Sequence, residues 1–194
     1  MTIEELYQQR CKDTAYNIYE HMPTLRRYAE QCDTIVELGT DQGYSTTVFL
    51  AAKPKELTSI SLNFHGELYR VIDCMCAVEW HKKDFIARCG DTLWLYYDID
   101  DTLFPIPEPI DLLFIDTLHT YKQLSQELSL HGEQAKKWII LHDTATYVLR
   151  GEDGSEPGPA QALDEFLKKG TFQVKEQFRN NNGLTVLERL NVGL

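Results

Sequence analysis

The sequence predicts an α/β fold in which a mostly parallel, doubly wound sheet ends in an antiparallel hairpin. Helical patterns alternate with short apolar runs that are bounded by turn residues, as in successive βαβ units. Residues 110–115, IDLLFI, form an almost unbroken apolar run, which suits a parallel strand buried on both faces. Residues 172–178 and 184–190 alternate on either side of the turn NNNG at 180–183, which is a hairpin signal.

The other elements follow from the same periodicities. Residues 3–31 are predicted to be helical, and Pro23 divides them into two helices. Strands are predicted at residues 34–38, 57–62, 84–89, 110–115 and 138–141, with helices between or after them at 45–52, 66–80, 121–134 and 160–169. The acidic stretch 150–159 is a loop, either a lid or a solvated linker. We expect residues 1–32 to form helices that cap the substrate side, and residues 33–194 to form the ligand-binding part of one compact domain.

Composition limits the classes of partner. A chain of 194 residues with 43% hydrophobic and 25% charged residues is expected to form one globular domain. Its formal net charge of −11 repels phosphate backbones, so we expect no nucleic-acid partner. No apolar run could span a bilayer, and the first residues lack an apolar signal segment. With five irregularly spaced cysteines, this predicts a cytoplasmic protein with reduced thiols and no membrane partner.

The segment ELGTDQG at residues 37–43 follows the first strand and precedes a helix. Glycines at positions 39 and 43 let the backbone approach a ligand closely, and the helix N-terminus presents unpaired amides. The spacing differs from the G-x-G-x-x-G of dinucleotide binders because Asp41 takes the place of the middle glycine. The acids Glu37 and Asp41 disfavour a pyrophosphate and suit a ligand that carries ammonium and sulfonium charges. A plain tight turn is the alternative interpretation.

Polar side chains also follow the fourth and fifth predicted strands. Asp116 and His119 come after residues 110–115, and His142 and Asp143 come after residues 138–141. Parallel strands present their carboxyl ends at one edge of a sheet, where ligands bind, so we expect these side chains to share a crevice. His119 is a candidate general base, since histidine titrates near neutral pH. The alternatives are that Asp116 caps the next helix and that His119 only caps or packs.

Two of these segments resemble a known family. TIVELGTDQGYSTTVFLAA is similar to motif I of class I S-adenosylmethionine-dependent methyltransferases. IDLLFIDTLHTYKQLSQELSLHG resembles a segment of small-molecule O-methyltransferases, a branch that includes macrolide sugar methyltransferases and cephalosporin-hydroxylase-like proteins. WIILHDTATY, GPAQALDEF and NNNGLTVLERL continue the similarity, which covers almost the whole chain from Thr34 onward.

The resemblance implies a Rossmann-like sheet of seven strands whose last strand is antiparallel, in agreement with the hairpin signal. It implies that motif I surrounds the methionine portion of S-adenosylmethionine and that Gly90 and Asp91 meet its adenine. The family's ribose-binding acid is replaced by Ser61, and Asn63 could accept one ribose hydroxyl. The cofactor-binding residues implied are Glu37, Gly39, Thr40, Gly43, Ser61, Asn63, Gly90, Asp91 and Asp116.

The resemblance also suggests a metal site. In the cephalosporin-hydroxylase-like proteins carboxylates at these two strand ends hold a divalent ion, which would make Asp116 and Asp143 metal ligands here, with Mg²⁺ as the expected ion. The family's neighbouring acid is His142 in this chain, which weakens a site that prefers oxygen. The alternative is a metal-free site with His119 or His142 as the base, so the catalytic candidates are His119, Asp116 and His142.

The function implied is methyl transfer from S-adenosylmethionine to an oxygen of a small hydroxylated molecule, with homo-oligomerisation left open. Positioning and deprotonation of the acceptor are most of the task. A catalytically inactive binding or assembly protein is the main alternative, because Ser61 replaces the usual acid. A nicotinamide-dependent oxidoreductase is disfavoured by the glycine spacing and the terminal hairpin.

Overall fold

A nine-stranded sheet is the framework of the chain in a computed structural model that describes residues 1–106 and 108–190. The strands are β1 (Thr34–Leu38), β2 (Glu56–Ser61), β3 (Ala77–His81), β4 (Asp84–Cys89), β5 (Thr92–Asp98), β6 (Ile110–Ile115), β7 (Ala135–His142), β8 (Phe172–Phe178) and β9 (Leu184–Arg189). The α-helices are α1 (Ile3–Arg10), α2 (Met22–Ala29), α3 (Tyr44–Ala52), α4 (Leu68–Ile72), α5 (Tyr121–Leu130) and α6 (Pro159–Leu167). Residues 191–194 of the predicted second part lie outside the described residues.

The strand order is β3-β4-β5-β2-β1-β6-β7-β9-β8. The five central strands are parallel, and antiparallel hairpins extend both edges. The chain moves outward from β1 through β2 to β5 and then crosses to β6 on the other side of β1. A crevice therefore opens at the carboxyl ends of β1 and β6, where the strand order reverses. The predicted fold class is confirmed.

The central strands alternate their side chains between two apolar layers. Ile35 of β1 and Phe114 of β6 face the layer that α1, α2 and α3 cover. Leu38 and Ile115 face the opposite layer, which α5 and α6 cover. Because both faces are buried, β1 and β6 are mainly apolar, whereas β2 has polar residues at four of its six positions. That pattern identified β1 and β6 in the sequence with their correct bounds.

The N-terminal helices belong to the same core as α3. Leu6 of α1 and Leu25 of α2 are fully buried and lie in one apolar cluster with Phe49 of α3. The division at residue 32 stays a prediction, as does the substrate-capping role of the first part. No helix among the described residues is long and apolar enough to cross a bilayer. The five cysteines are free.

The region between β2 and β6 differs from the prediction. The helix predicted at residues 66–80 covers only α4, because residues 77–81 form the edge strand β3. Residues 84–89 form the strand β4, but it is antiparallel to both of its neighbours, and β5 is the third parallel strand. The β3–β4 hairpin adds two strands to the seven expected. Aromatic contacts stabilise it, since Phe85 stacks on Tyr96 with ring centroids 4.9 Å apart.

Candidate active site

The turn after β1 is shaped by close backbone contacts. Gly39 has a φ of 84°, and a Cβ at this position would lie 2.0 Å from the carbonyl oxygen of Asp116. Only glycine fits there. The packing of this turn against the end of β6 is therefore sufficient to explain the glycine at position 39, without a ligand. The Thr40 amide donates to Ser61 Oγ at 3.4 Å, which joins the turn to the end of β2. Gly43, with a φ of 78°, is the N-cap of α3.

Glu37 lies beneath this turn. Its fully buried carboxylate accepts hydrogen bonds from Ser45 (2.5 Å), Thr46 (2.8 Å) and Ser59 (2.7 Å). Burial raises the pKa of Glu37 to about 7, although the three hydroxyl donors act in the opposite direction. Glu37 therefore connects β1 to β2 and α3 through hydrogen bonds. It is not among the described residues that line the crevice.

Arg10 holds the same turn from the N-terminal side. Its guanidinium is almost fully buried and donates to the carbonyl oxygens of Gln42 (3.0 Å) and Gly43 and to Thr47 Oγ1 (2.7 Å). It also lies over the Tyr44 ring, 4.5 Å from the centroid. Arg10 could not be recognised as a site residue from the sequence. A basic residue is common in the last turn of a helix, where it interacts favourably with the helix dipole, so its presence there does not indicate a further contact.

The first cavity lies at the carboxyl ends of β1, β2 and β5 and has a volume of about 380 Å³. Four of the predicted cofactor-binding residues line it, namely Gly39, Ser61, Asn63 and Asp116. Its wall also contains three acids that the cofactor set did not include, Asp41, Asp100 and Asp101. Asp100 and Asp101 were missed because the strand that precedes them was not identified. The cavity is open and rich in acids.

Gly90 and Asp91 lie elsewhere, and the expectation that they follow the third parallel strand is wrong. They form the turn between β4 and β5, at the amino end of β5. In the register of β2 and β5, Ser61 is paired with Asp98 at the carboxyl end. A strand of seven residues spans roughly 20 Å. This turn lies at the amino end of β5, whereas the crevice lies at its carboxyl end.

Four polar side chains converge where the neighbouring strands β6 and β7 end. His119 Nε2 lies 3.4 Å from Asp116 Oδ1 and 3.3 Å from Asp143 Oδ2. His142 Nδ1 lies 3.4 Å from Asp116 Oδ2 and 3.3 Å from Asp143 Oδ1. The structure thus brings together all the candidates for base and metal ligand. We call these four residues the His–Asp cluster.

The residues of the His–Asp cluster shift one another's pKa values. Burial alone would raise the pKa of Asp116, but His142 and His119 hold it well below its usual range. Burial alone would lower the pKa of His119, but Asp116, Asp143 and Glu152 raise it to about 9. The pKa of His142 is raised for the same reason, against its burial. At neutral pH His119 is therefore protonated, and it can accept a proton only once its carboxylate neighbours are otherwise neutralised.

A loop from the acidic stretch contacts the cluster. Glu152 Oε2 lies 3.1 Å from His119 Nδ1, and the Glu152 amide donates to the His119 carbonyl oxygen at 2.9 Å. The Tyr147 ring stacks on the His119 ring with centroids 5.0 Å apart. These contacts fix the ring so that Nε2 faces the two aspartates.

A second cavity, of about 150 Å³, opens beside the cluster between α5, α6 and the loop after β7. Its walls are mainly apolar and include Leu118, Leu124, Leu141, Tyr147, Val148 and Leu163. The polar residues that line it include His119, His142 and Asp143 of the cluster, together with Glu127 and Asp164. Thr117 and Leu118 line both cavities, so the two cavities are adjacent.

The cluster fits a bound cation. Buried atoms of three members have no hydrogen-bond partner among the described residues, namely His119 Nε2, both nitrogens of His142, and Asp143 Oδ1. Asp116, His142 and Asp143 each offer one ligand atom, and these atoms lie within 4.8 Å of one another. Buried polar atoms that face one another without hydrogen bonds are unfavourable unless a further group satisfies them.

Comparison with known proteins places this site in context. A family model described as a methyltransferase domain matches residues 36–144, which is more than half of the chain. The comparison with curated proteins finds no match.

Several solved structures share the fold. The N-methyltransferase NodS from Bradyrhizobium japonicum, in complex with S-adenosylhomocysteine, is 12% identical with a TM-score of 0.61, and the match covers 97% of this chain and 99% of NodS. The O-methyltransferase TomG from Streptomyces achromogenes, in complex with S-adenosylmethionine, is 15% identical with a TM-score of 0.59, covering 89% and 81%. An O-methyltransferase from Bacillus cereus is 13% identical with a TM-score of 0.59, covering 88% and 81%. At these identities the likeness concerns the fold.

Proposed function

Because the chain belongs to the methyltransferase-domain family, we propose that it transfers a methyl group from S-adenosylmethionine to an oxygen of a small hydroxylated molecule. The observation that carries the proposal is the pair of cavities that share a wall at Thr117 and Leu118. One is open and rich in acids, and the other is mainly apolar with the His–Asp cluster at one end. In methyl transfer the donor carbon and the acceptor oxygen must meet directly and in line, so cofactor and acceptor would have to approach each other past Thr117 and Leu118.

The first cavity suits S-adenosylmethionine. Its acids can face the ammonium and sulfonium groups, and they disfavour a pyrophosphate. Asp100 and Asp101 follow the strand next to β2 and offer carboxylates where Ser61 alone would be a weak partner for the ribose hydroxyls. Structures of NodS and TomG with the product or the cofactor support this choice of ligand.

The second cavity suits the acceptor. An apolar body would occupy the part lined by Leu124, Leu141 and Leu163, and its hydroxyl would lie at the His–Asp cluster. A divalent cation held by Asp116 and Asp143 would lower the pKa of that hydroxyl and offset the carboxylate charge that keeps His119 protonated. His119 would then be free to take the hydroxyl proton. Without a cation, His119 or His142 would be the base, and His119 would act only once the pH approaches its raised pKa of about 9.

Calorimetry with S-adenosylhomocysteine tests the cofactor assignment, and NAD⁺ serves as the negative control. We expect micromolar binding of the first and none of the second. Turnover is then measured as S-adenosylhomocysteine released in the presence of catechol-type and vicinal-diol acceptors. Binding without turnover of any acceptor would favour the catalytically inactive alternative, which no feature of the described residues supports. Absence of binding would refute the proposal.

A further inference from the structure

The cation proposed for the His–Asp cluster would meet a ligand set that mixes nitrogen with oxygen. The atoms within 4.8 Å of one another come from Asp116, His142 and Asp143. The separations of 3.3 and 3.4 Å from His142 Nδ1 to the two carboxylates match the edges of about 3.0–3.4 Å expected between ligands bound at roughly 2.1 Å. His119 reaches the other oxygen of each carboxylate, so it flanks this group and is not one of its members.

The position of His142 is fixed by the fold. It is the last residue of β7 and is paired with Leu184 of β9, and its side chain is only 1% exposed. His21 packs edge-on against it with ring centroids 5.6 Å apart, and His21 Nε2 lies 3.0 Å from the carbonyl oxygen of Asn180. The imidazole therefore cannot turn away to find solvent. Its Nδ1 is left facing the two carboxylates, close to both and hydrogen-bonded to neither.

Ligand chemistry separates the candidate ions. Mg²⁺ takes oxygen ligands in an octahedron and keeps several waters, so a buried imidazole in its shell is unfavourable. Imidazole suits Zn²⁺, Fe²⁺ and Ni²⁺, and two carboxylates with one imidazole leave open positions on such an ion. The acceptor oxygen could occupy an open position from the second cavity.

We propose that His142 is a direct nitrogen ligand and that the cluster binds a borderline transition-metal ion, such as Fe²⁺, Co²⁺, Ni²⁺ or Zn²⁺, in preference to Mg²⁺. The proposal deepens the proposed function, since it concerns the ion beside the acceptor cavity. It rests on the buried, unpartnered imidazole between two carboxylates and needs no assumption about the acceptor.

The test uses the full chain after removal of metals with a chelator. Binding of Co²⁺ is followed by its visible absorption, and Mg²⁺ is then added as a competitor. We expect Co²⁺ to bind at least a thousandfold more tightly than Mg²⁺. Pulsed electron paramagnetic resonance of the Mn²⁺-loaded protein should show coupling to one nitrogen. Because this signature is measured in the wild type, it does not depend on any variant folding.

The variant His142→Asp supplies an oxygen in place of the nitrogen. It should lose the nitrogen coupling and reduce the preference for Co²⁺ over Mg²⁺ at least tenfold. His81→Asn, at an exposed position on β3, is the matched control and should change neither property. Failure of the wild type to bind Co²⁺, absence of nitrogen coupling, or an unchanged preference in His142→Asp would overturn the proposal. S-adenosylhomocysteine binding in the same samples shows separately whether the proposed function stands.

Discussion

A substitution of Arg10 tests whether its hydrogen bonds stabilise the turn after β1. The change Arg10→Met keeps most of the apolar stem of the side chain and removes its donors. The carbonyl oxygen of Gln42 then loses its charged partner, whereas that of Gly43 keeps the amide and hydroxyl of Thr47 at 2.9 and 2.8 Å. Three hydrogen bonds from a charged donor are lost, and only the part-buried Gln42 carbonyl is left without another partner among the described residues, so the loss amounts to about 2–4 kcal/mol.

Part of this loss is offset because the guanidinium is itself unfavourable to bury. Burial lowers the pKa of Arg10 to about 10, which reflects that penalty. We therefore expect Arg10→Met to reduce the free energy of unfolding by about 1–3 kcal/mol and to weaken S-adenosylhomocysteine binding by at least tenfold, or about 1.4 kcal/mol. Arg10→Lys should be intermediate, since one ammonium group cannot bond both carbonyls in the same geometry.

Denaturant unfolding and calorimetry at one temperature measure the two effects. Arg27→Met is the control, because the Arg27 side chain is 54% exposed and pairs with Glu176 at the surface. If Arg10→Met bound S-adenosylhomocysteine as tightly as the wild type, or if Arg27→Met weakened binding equally, Arg10 would not support ligand binding through this turn.

Four further predictions follow from the same geometry. Ser61→Asp should tighten S-adenosylhomocysteine binding by about 1.5–3 kcal/mol in calorimetry if this position faces the ribose, and no change would assign that contact elsewhere. Asp100→Ala should weaken that binding at least tenfold, and Asp91→Ala should leave it unchanged. Glu37 has a folded pKa of about 7, above its unfolded value of about 4.3, so its contribution to stability is present below pH 4 and is lost as the pH rises through 7. Glu37→Gln should remove that part of the pH dependence in unfolding at pH 5 and pH 8. If a metal is required, chelation should reduce both activity and thermal stability, and Asp143→Asn should resemble it; full activity after chelation, falling in acid, would leave a histidine as the base.

Elements that have a regular local pattern of apolar and polar residues could be predicted from the sequence. β6 and the β8–β9 hairpin have nearly the predicted bounds, because an apolar run and a strict alternation about NNNG each permit one structure. The ends of β6 and β7 then brought Asp116 and Asp143 together without further information. Parallel pairing of neighbouring strands is sufficient for that result.

The missed features depend on contacts between distant residues. The strand β3 is an exposed edge whose pairing with β4 overrides a sequence that also suits a helix. That error placed the third parallel strand at residues 84–89 and directed the expected adenine contact to Asp91, at the amino end of β5. Arg10 contacts the turn at Gln42, which is 32 residues away, and no local pattern records such a contact.

The two cavities adjoin at Thr117 and Leu118, and buried side chains hold this segment in place. Asp116, which follows β6, lines the first cavity, and His119, three residues later, lines the second. Between them the Thr117 hydroxyl donates to the buried Glu127, whose carboxyl group also accepts from Gln123 at 2.9 Å. Burial and the neighbouring Asp101 raise the pKa of Glu127 well above its usual range. In-line transfer tolerates little movement of donor and acceptor, and this buried network fixes the wall that both would contact.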